Sequence, residues 1–337
     1  MKILVIATLL VYTFSIAGCG ASMKKFDWLA TESAPKGFPM KIISGNFYDA
    51  KGGSLYIPNG RVVHDGWGNG VSTHIAGKDK KLVPNRFDIL CFSYAENVFY
   101  GGEFELPFET LYQLFEEGYY SPNAGEHITF RRMVAGVAPG GHVSVWVSGI
   151  DKQIEVFSGK MDAIDFPWEK FLDNPSITRE DYIDFVLKES LDENELNTIK
   201  NNKVPIGVWP EYSKKYPWKP LVTGRQSKDL IKNIRFYNGE KNYFSVEHNN
   251  DWENEVFPVP SSMTVNWITE KGREIRAEIT FSEHEIFESF NEMTRQTENP
   301  FVLSIHIDQQ DNQVLYTTTL SSGDINVPIS NTQITNR

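Results

Sequence analysis

The chain has 337 residues, with 33 basic and 44 acidic side chains and a formal charge of −11. Such a length supports roughly two packed domains, and 40% hydrophobic against 23% charged residues excludes wholesale disorder. The acidic balance makes nucleic acid a poor partner, and two cysteines cannot form a disulfide scaffold.

In chain order, Lys2 comes first as a single positive charge. The apolar stretch Ile3 to Ala17 follows, broken only by Thr8, Thr13 and Ser15. It is too short to span a ~30 Å hydrocarbon core and ends in small residues, the pattern of a signal peptide. Its ending, Ile16-Ala17-Gly18-Cys19, resembles the lipobox of bacterial lipoproteins. That resemblance implies acylation of Cys19, removal of residues 1–18 and a tether over 19–25. Gly20, in place of Asp, resembles the sorting default for an outer-membrane anchor facing the periplasm. The alternative is an ordinary secretory signal followed by an unmodified cysteine. Cys91 then remains as the second thiol, in the strand-like run Phe87 to Phe92, where a lone cysteine behaves as a small buried hydrophobe.

Residues 26–165 read as a β-rich α+β module. Strands are expected over Met40 to Phe47, Leu55 to Ile57, Arg86 to Tyr94 and Val98 to Leu106. The run Asp65-Gly66-Trp67-Gly68-Asn69-Gly70 reads as a tight loop. Pro107 opens a helix with Phe108, Leu111, Tyr112, Leu114 and Phe115 at helical spacing, and Gly118 ends it. Two strands, Ile128 to Ala138 and His142 to Gly149, join at the hairpin signal Pro139-Gly140-Gly141.

Residues 166–228 form a connector. Thr178 and Asp181 make a capping-box pattern before Tyr182, Val186 and Leu191. The aromatic and proline-rich text from Trp209 through Tyr212 and Tyr216 to Trp218 predicts a rigid, extended loop. Residues 229–328 return to strands and one helix. The order hairpin, helix, hairpin repeats that of the first half, with Glu278 matching Glu103 and the turn Asp311-Asn312 matching Pro139-Gly140-Gly141. A polar tail, 329–337, reads as frayed. The class is therefore α+β, with mainly antiparallel sheets and one helix per module, in two similar modules in tandem.

The residues carry no strong catalytic signature. No two histidines share a helix turn around a glutamate, and no Gly-x-Ser-x-Gly elbow occurs. His306 and Asp308 supply two ligands on one strand face, where zinc needs three or four. Acidic groups such as Glu116, Glu117, Glu180, Asp181, Glu283 and Glu285 suit charged helix faces. No cofactor or metal is expected, and the chain reads as a non-enzyme.

Trp28 with Ser33-Ala34-Pro35-Lys36-Gly37-Phe38-Pro39, then Gly66-Trp67-Gly68, then Ala138-Pro139-Gly140-Gly141-His142-Val143-Ser144-Val145-Trp146 resemble the bacterial domain of unknown function 2931. The likeness spans residues 26 to 245. It implies a lipoprotein near type VI secretion genes, and hence an immunity protein. The expected function is a lipid-anchored envelope protein that binds a toxin or effector through Trp209, Tyr212, Tyr216, Trp218 and Trp67. Two alternatives stand beside it: a carbohydrate-binding protein or hydrolase of the envelope, or tryptophans that only plug the two halves together.

Overall fold

Alternating apolar residues and glycine turns set the first module, in a computed structural model that describes residues 23–201, 203–224, 231–243, 255–268, 272–310 and 313–336. Cys19 and the residues before it, and the expected turn at Asp311-Asn312, lie outside the described residues. Strands β1 (Phe26–Asp27) and β2 (Leu29–Ser33) already precede the turn at Pro35 to Pro39, where Gly37 takes φ of 79°. They are followed by β3 (Met40–Tyr48), β4 (Ser54–Tyr56), β5 (Val62–Val63), β6 (Lys80–Lys81), β7 (Arg86–Ser93) and β8 (Val98–Glu105). Helix α1 (Phe108–Glu117) buries Leu111 and Phe115 and stops at Gly118, as its spacing predicts.

The expected strand from Ile128 to Ala138 is two. β9 (Tyr119–Ser121) and β10 (Glu126–Ile128) form a hairpin, and β11 (Arg132–Ala138) starts anew. The break falls where the Thr129 hydroxyl donates to the Phe115 carbonyl at 2.6 Å, tying the chain to the end of α1. β12 (His142–Ser148), β13 (Gln153–Lys160) and β14 (Asp162–Ile164) complete the module. One sheet runs β3-β7-β8-β14. The other runs β2-β11-β12-β13, with β2 parallel to β11. Val143, Val145 and Val147 fill the core between them. All seven residues of β12 are buried, because Trp146 on its other face packs against the junction with the second module.

The connector holds α2 (Trp168–Phe171), α3 (Arg179–Ser190), α4 (Glu193–Lys200) and α5 (Val208–Tyr212). The Thr178 hydroxyl accepts the Asp181 N–H at 3.1 Å, but the Asp181 carboxylate takes the Thr178 hydroxyl rather than its backbone. The complete reciprocal box belongs to Asp192 and Glu195 at the start of α4. Ile183 and Val186 of α3 pack on Phe92, Tyr94 and Phe99, a small core separate from the main ones. Leu191, expected on the helix face, is the residue that ends the helix.

The second module contains β15 (Lys215–Tyr216), β16 (Trp218–Thr223), β17 (Ile231–Phe236), β18 (Lys241–Tyr243), β19 (Phe257–Pro258), β20 (Pro260–Ile268) and β21 (Glu274–Phe281). Helix α6 (Glu283–Gln296) follows, then β22 (Phe301–Gln310), β23 (Gln313–Ser322), β24 (Ile325–Ile329) and β25 (Thr332–Asn336). Its pairings recur in the order of the first module. β15 pairs β19 as β1 pairs β6, and β16 runs parallel to β22 as β2 does to β11. The ladder β17-β20-β21-β25 follows the plan of β3-β7-β8-β14, and β22-β23-β24 that of β11-β12-β13. Lys215 to Thr223, read as connector, is thus built into the second module's sheets. The tail read as frayed is held as β25 against β21. The architecture is α+β, and β13 meets β18 through Gln153 and Lys241, so that one sheet continues across both modules.

Candidate functional site

The glycine-rich loop at 65–70 sets the geometry of the junction between the modules. Gly66 and Gly68 take φ of 117° and 75°, which side chains other than glycine's rarely adopt. A Cβ on Gly68 would lie 2.8 Å from the Cα of Gly239, so the two backbones touch. The Gln153 amide clamps them, donating to the Gly68 carbonyl at 2.8 Å and the Gly239 carbonyl at 2.6 Å. Next to it the Trp146 indole donates to the Asn238 carbonyl at 3.0 Å. A close approach of this kind satisfies buried carbonyls that water cannot reach.

Around this clamp the aromatic residues form a chain. Trp67 lies 4.9 Å from Trp146 and 5.4 Å from Trp209, ring centre to ring centre. Trp209 meets Tyr212, and Tyr212 meets Tyr237 and Phe287 of the second module. The Tyr212 hydroxyl donates to Glu283 at 2.5 Å, and burial pushes its phenol upward. Edge and tilted contacts of this kind add specificity to the area they bury.

The structure brings Trp67, Trp209 and Tyr212 together at the junction and separates Tyr216 and Trp218 from them. Trp209 is 4% exposed and Trp218 is 2% exposed, so neither is a surface anchor. The segment between them is not an extended loop: α5, β15 and β16 occupy it. Tyr216 packs on Phe290, and the Trp218 indole donates to the Phe257 and Pro258 carbonyls. Those two residues belong to the core of the second module.

Charge is buried here too. The Glu240 carboxylate meets Lys215 at 2.9 Å and accepts the Glu155 N–H at 3.1 Å. Asn238 donates to Glu155 at 3.1 Å, while burial raises the Glu155 carboxyl above its ordinary range, with Glu240 adding to the shift. His142 lies beneath Trp67, with Ser144 at 3.2 Å, and burial lowers its imidazole to about 4. It is therefore neutral at pH 7. A groove of about 280 Å³ opens at this junction, lined by Gly140, His142, Lys160, Ile206, Trp209 and Pro210 among others.

The other sequence candidates have structural duties. Cys91 is fully buried and its thiol is pushed upward by burial. His306 contacts Thr223 at 3.0 Å. Glu285 accepts the Ser330 and Asn331 N–H groups, fixing the turn before β25. Among the described residues no three His, Cys, Asp or Glu side chains gather to hold a metal.

One surface escaped the reading by residue type. The connector from Asp173 to Glu195 carries eight acidic and two basic side chains. Phe185 of α3 stands 60% exposed among them, with Ile177 38% exposed at the start of the same segment. The signal was a phenylalanine between Asp184 and the buried Val186, on the polar side of a helix. A large ring there has no place in the core.

The model of the family described as "Protein of unknown function (DUF2931)" matches residues 16–207, and the chain belongs to that family. The match ends just before α5. Trp67 lies inside it, whereas Trp209, Tyr212, Tyr216 and Trp218 lie beyond it, so the likeness is shorter than the span to residue 245 read from the sequence. No curated protein and no solved structure matches the chain.

Proposed function

We propose that the chain is a lipid-anchored protein of the cell envelope that binds and neutralises a type VI secretion effector. The observation that carries this reading is the acidic connector surface with Phe185 at its centre. An exposed aromatic ring within a charged rim has the anatomy of a protein interface. Its charge would steer a basic partner and raise the association rate at low salt. Burial of Trp209 and Trp218 supports placing the proposed interface on α3 rather than on the Trp209 to Trp218 segment. The lipobox at Cys19 would hold this surface at the membrane where an effector arrives.

Survival of cells that receive a periplasmic effector encoded beside the gene, with and without this chain, tests the proposal. Rescue by the wild type, lost in Phe185→Asp at equal protein level, supports it. Failure of the wild type to rescue contradicts it.

A second reading is favoured by one observation. The indole N–H of Trp209, which lines the junction groove, is buried without a hydrogen-bond partner, as is that of Trp67 packed against it. A hydroxyl-rich ligand such as an envelope sugar would supply acceptors there. Quenching of tryptophan fluorescence by soluble peptidoglycan fragments, abolished in Trp209→Phe, would favour this reading over the first.

A further inference from the structure

Among the described residues of this acidic chain, five lysines gather on the face that carries β1 and β6. A pocket of about 430 Å³ is lined by Lys25, Lys51, Lys78, Lys80 and Lys81, with Asp49 as its acidic wall residue. The Asp49 carboxylate is already engaged, accepting the Lys51 and Gly53 N–H groups at 2.8 and 3.1 Å. Lys25, Lys51, Lys78 and Lys80 are exposed. Lys81 is half-buried, donates to the Trp28 carbonyl at 2.9 Å and lies over the Trp28 ring.

The fold does not demand these lysines. Lys80 and Lys81 form β6, paired with Phe26 and Asp27. Where the first module pairs Phe26 with Lys81, the second pairs Tyr216 with Phe257. Asp27 and Asp79 act on Lys81, yet with Asp49 they leave five lysines against three carboxylates, a positive excess that the fold itself does not need.

Two exposed apolar side chains lie close in sequence to residues of this pocket. Ile75, two residues from the pocket-lining Gly77, is 88% exposed, the most exposed large hydrophobic side chain among the described residues. Tyr56 is 40% exposed, and its hydroxyl meets His74 at 2.9 Å on that same loop. Lysines lining a pocket, with an exposed isoleucine two residues from its Gly77 and an exposed tyrosine next to its Leu55, are the side chains that suit a phosphate-rich membrane surface. Lys25 follows Cys19 by six residues, a reach of about 20 Å when extended.

We propose that this lysine pocket, with Ile75 beside it, docks the phosphate headgroups of anionic lipids in the membrane that carries the anchor. The proposal rests on the lipid-anchor reading for its proximity. It places the first module flat on the bilayer, with the lysines on phosphates and Ile75 dipping below them. Phosphate contact of this kind weakens as salt shortens the ~10 Å screening length.

The test is acetylation footprinting of the full-length protein, purified from membranes and mixed with vesicles. One set contains phosphatidylglycerol at about 30% and the other only phosphatidylcholine. Mass spectrometry of the N-terminal peptide reports the acyl chains separately, so failure of the anchor and failure of the pocket are distinguishable. Labelling of Lys25, Lys51, Lys78 and Lys80 should fall at least about threefold on the anionic vesicles and recover in high salt, while Lys188 and Lys219 stay unchanged. The variant combining Lys78→Glu and Lys80→Glu should lose protection at Lys25 and Lys51, and Ile75→Asp should weaken it. Both changes are on exposed positions, and an unchanged melting temperature confirms the fold. Equal labelling on both vesicle types overturns the proposal, whether or not Cys19 is acylated. Protection by millimolar inorganic phosphate without vesicles, equal to that on anionic vesicles, overturns the membrane assignment in favour of a free phosphate.

Discussion

Trp28 and Trp218 perform the same task in the two modules. Each stands at the start of the strand that runs parallel to the module's hairpin, β2 on β11 and β16 on β22. Each indole donates to a carbonyl just before a long central strand: Leu82 ahead of β7, and Phe257 and Pro258 ahead of β20. The residue two positions earlier repeats as well, with Phe26 on Phe115 of α1 and Tyr216 on Phe290 of α6.

A core tryptophan of this kind should be costly to remove. Trp218→Ala is expected to destabilise the protein by about 3–5 kcal/mol through the lost burial and the cavity left behind. Chemical denaturation measures it. Loss of partner binding in such a variant would report unfolding, which is why Phe185 is the better probe of an interface.

The junction predicts a contrast between two glycines of similar φ. A methyl group on Gly68 would meet the Gly239 backbone at 2.8 Å, whereas one on Gly60 meets nothing within 4 Å. Gly60→Ala should cost about 1 kcal/mol, from backbone strain alone. Gly68→Ala should cost at least about 2 kcal/mol, because neither backbone can move without parting the modules. Paired denaturation curves check the difference.

Acid should weaken the junction through His142. Its imidazole titrates at about 4 in the folded chain against an ordinary 6.5, so the unfolded chain takes up the proton first. The stability that the neutral ring allows is present above pH 6.5 and is lost as pH falls from 6.5 to 4, about 3 kcal/mol in all. Glu155 acts in the opposite sense, since its raised carboxyl loses stability as pH rises past the ordinary carboxylate value. The slope of stability against pH in His142→Gln, compared with wild type, isolates the histidine. It should be flatter between pH 4 and 6.5.

Much of this fold was legible because period and punctuation speak locally. Phe108 to Phe115 kept helical spacing between Pro107 and Gly118, and Pro139-Gly140-Gly141 marked its hairpin. The segment from Trp209 to Trp218 misled because composition cannot distinguish an aromatic anchor from an aromatic core. Its best clue was positional: Tyr216-Pro217-Trp218 repeats the spacing of Phe26-Asp27-Trp28. The clamp of Gln153 on Gly68 and Gly239 joins residues about 85 positions apart, which no local pattern encodes. Phe185 is the opposite case: its place on the polar side of α3 sets it outside the core, but one ring makes no repeating pattern from which a surface patch can be read.

The most direct test of the proposed interface is calorimetric titration of the purified product of the effector gene beside this one into wild type and Phe185→Asp, at low and at high salt. The account predicts tight binding by wild type that weakens with salt. Phe185→Asp should show at least about a thirtyfold loss, the scale of a 2 kcal/mol hot spot, with its melting temperature unchanged. Equal affinity of both proteins would contradict the account and take the interface away from α3.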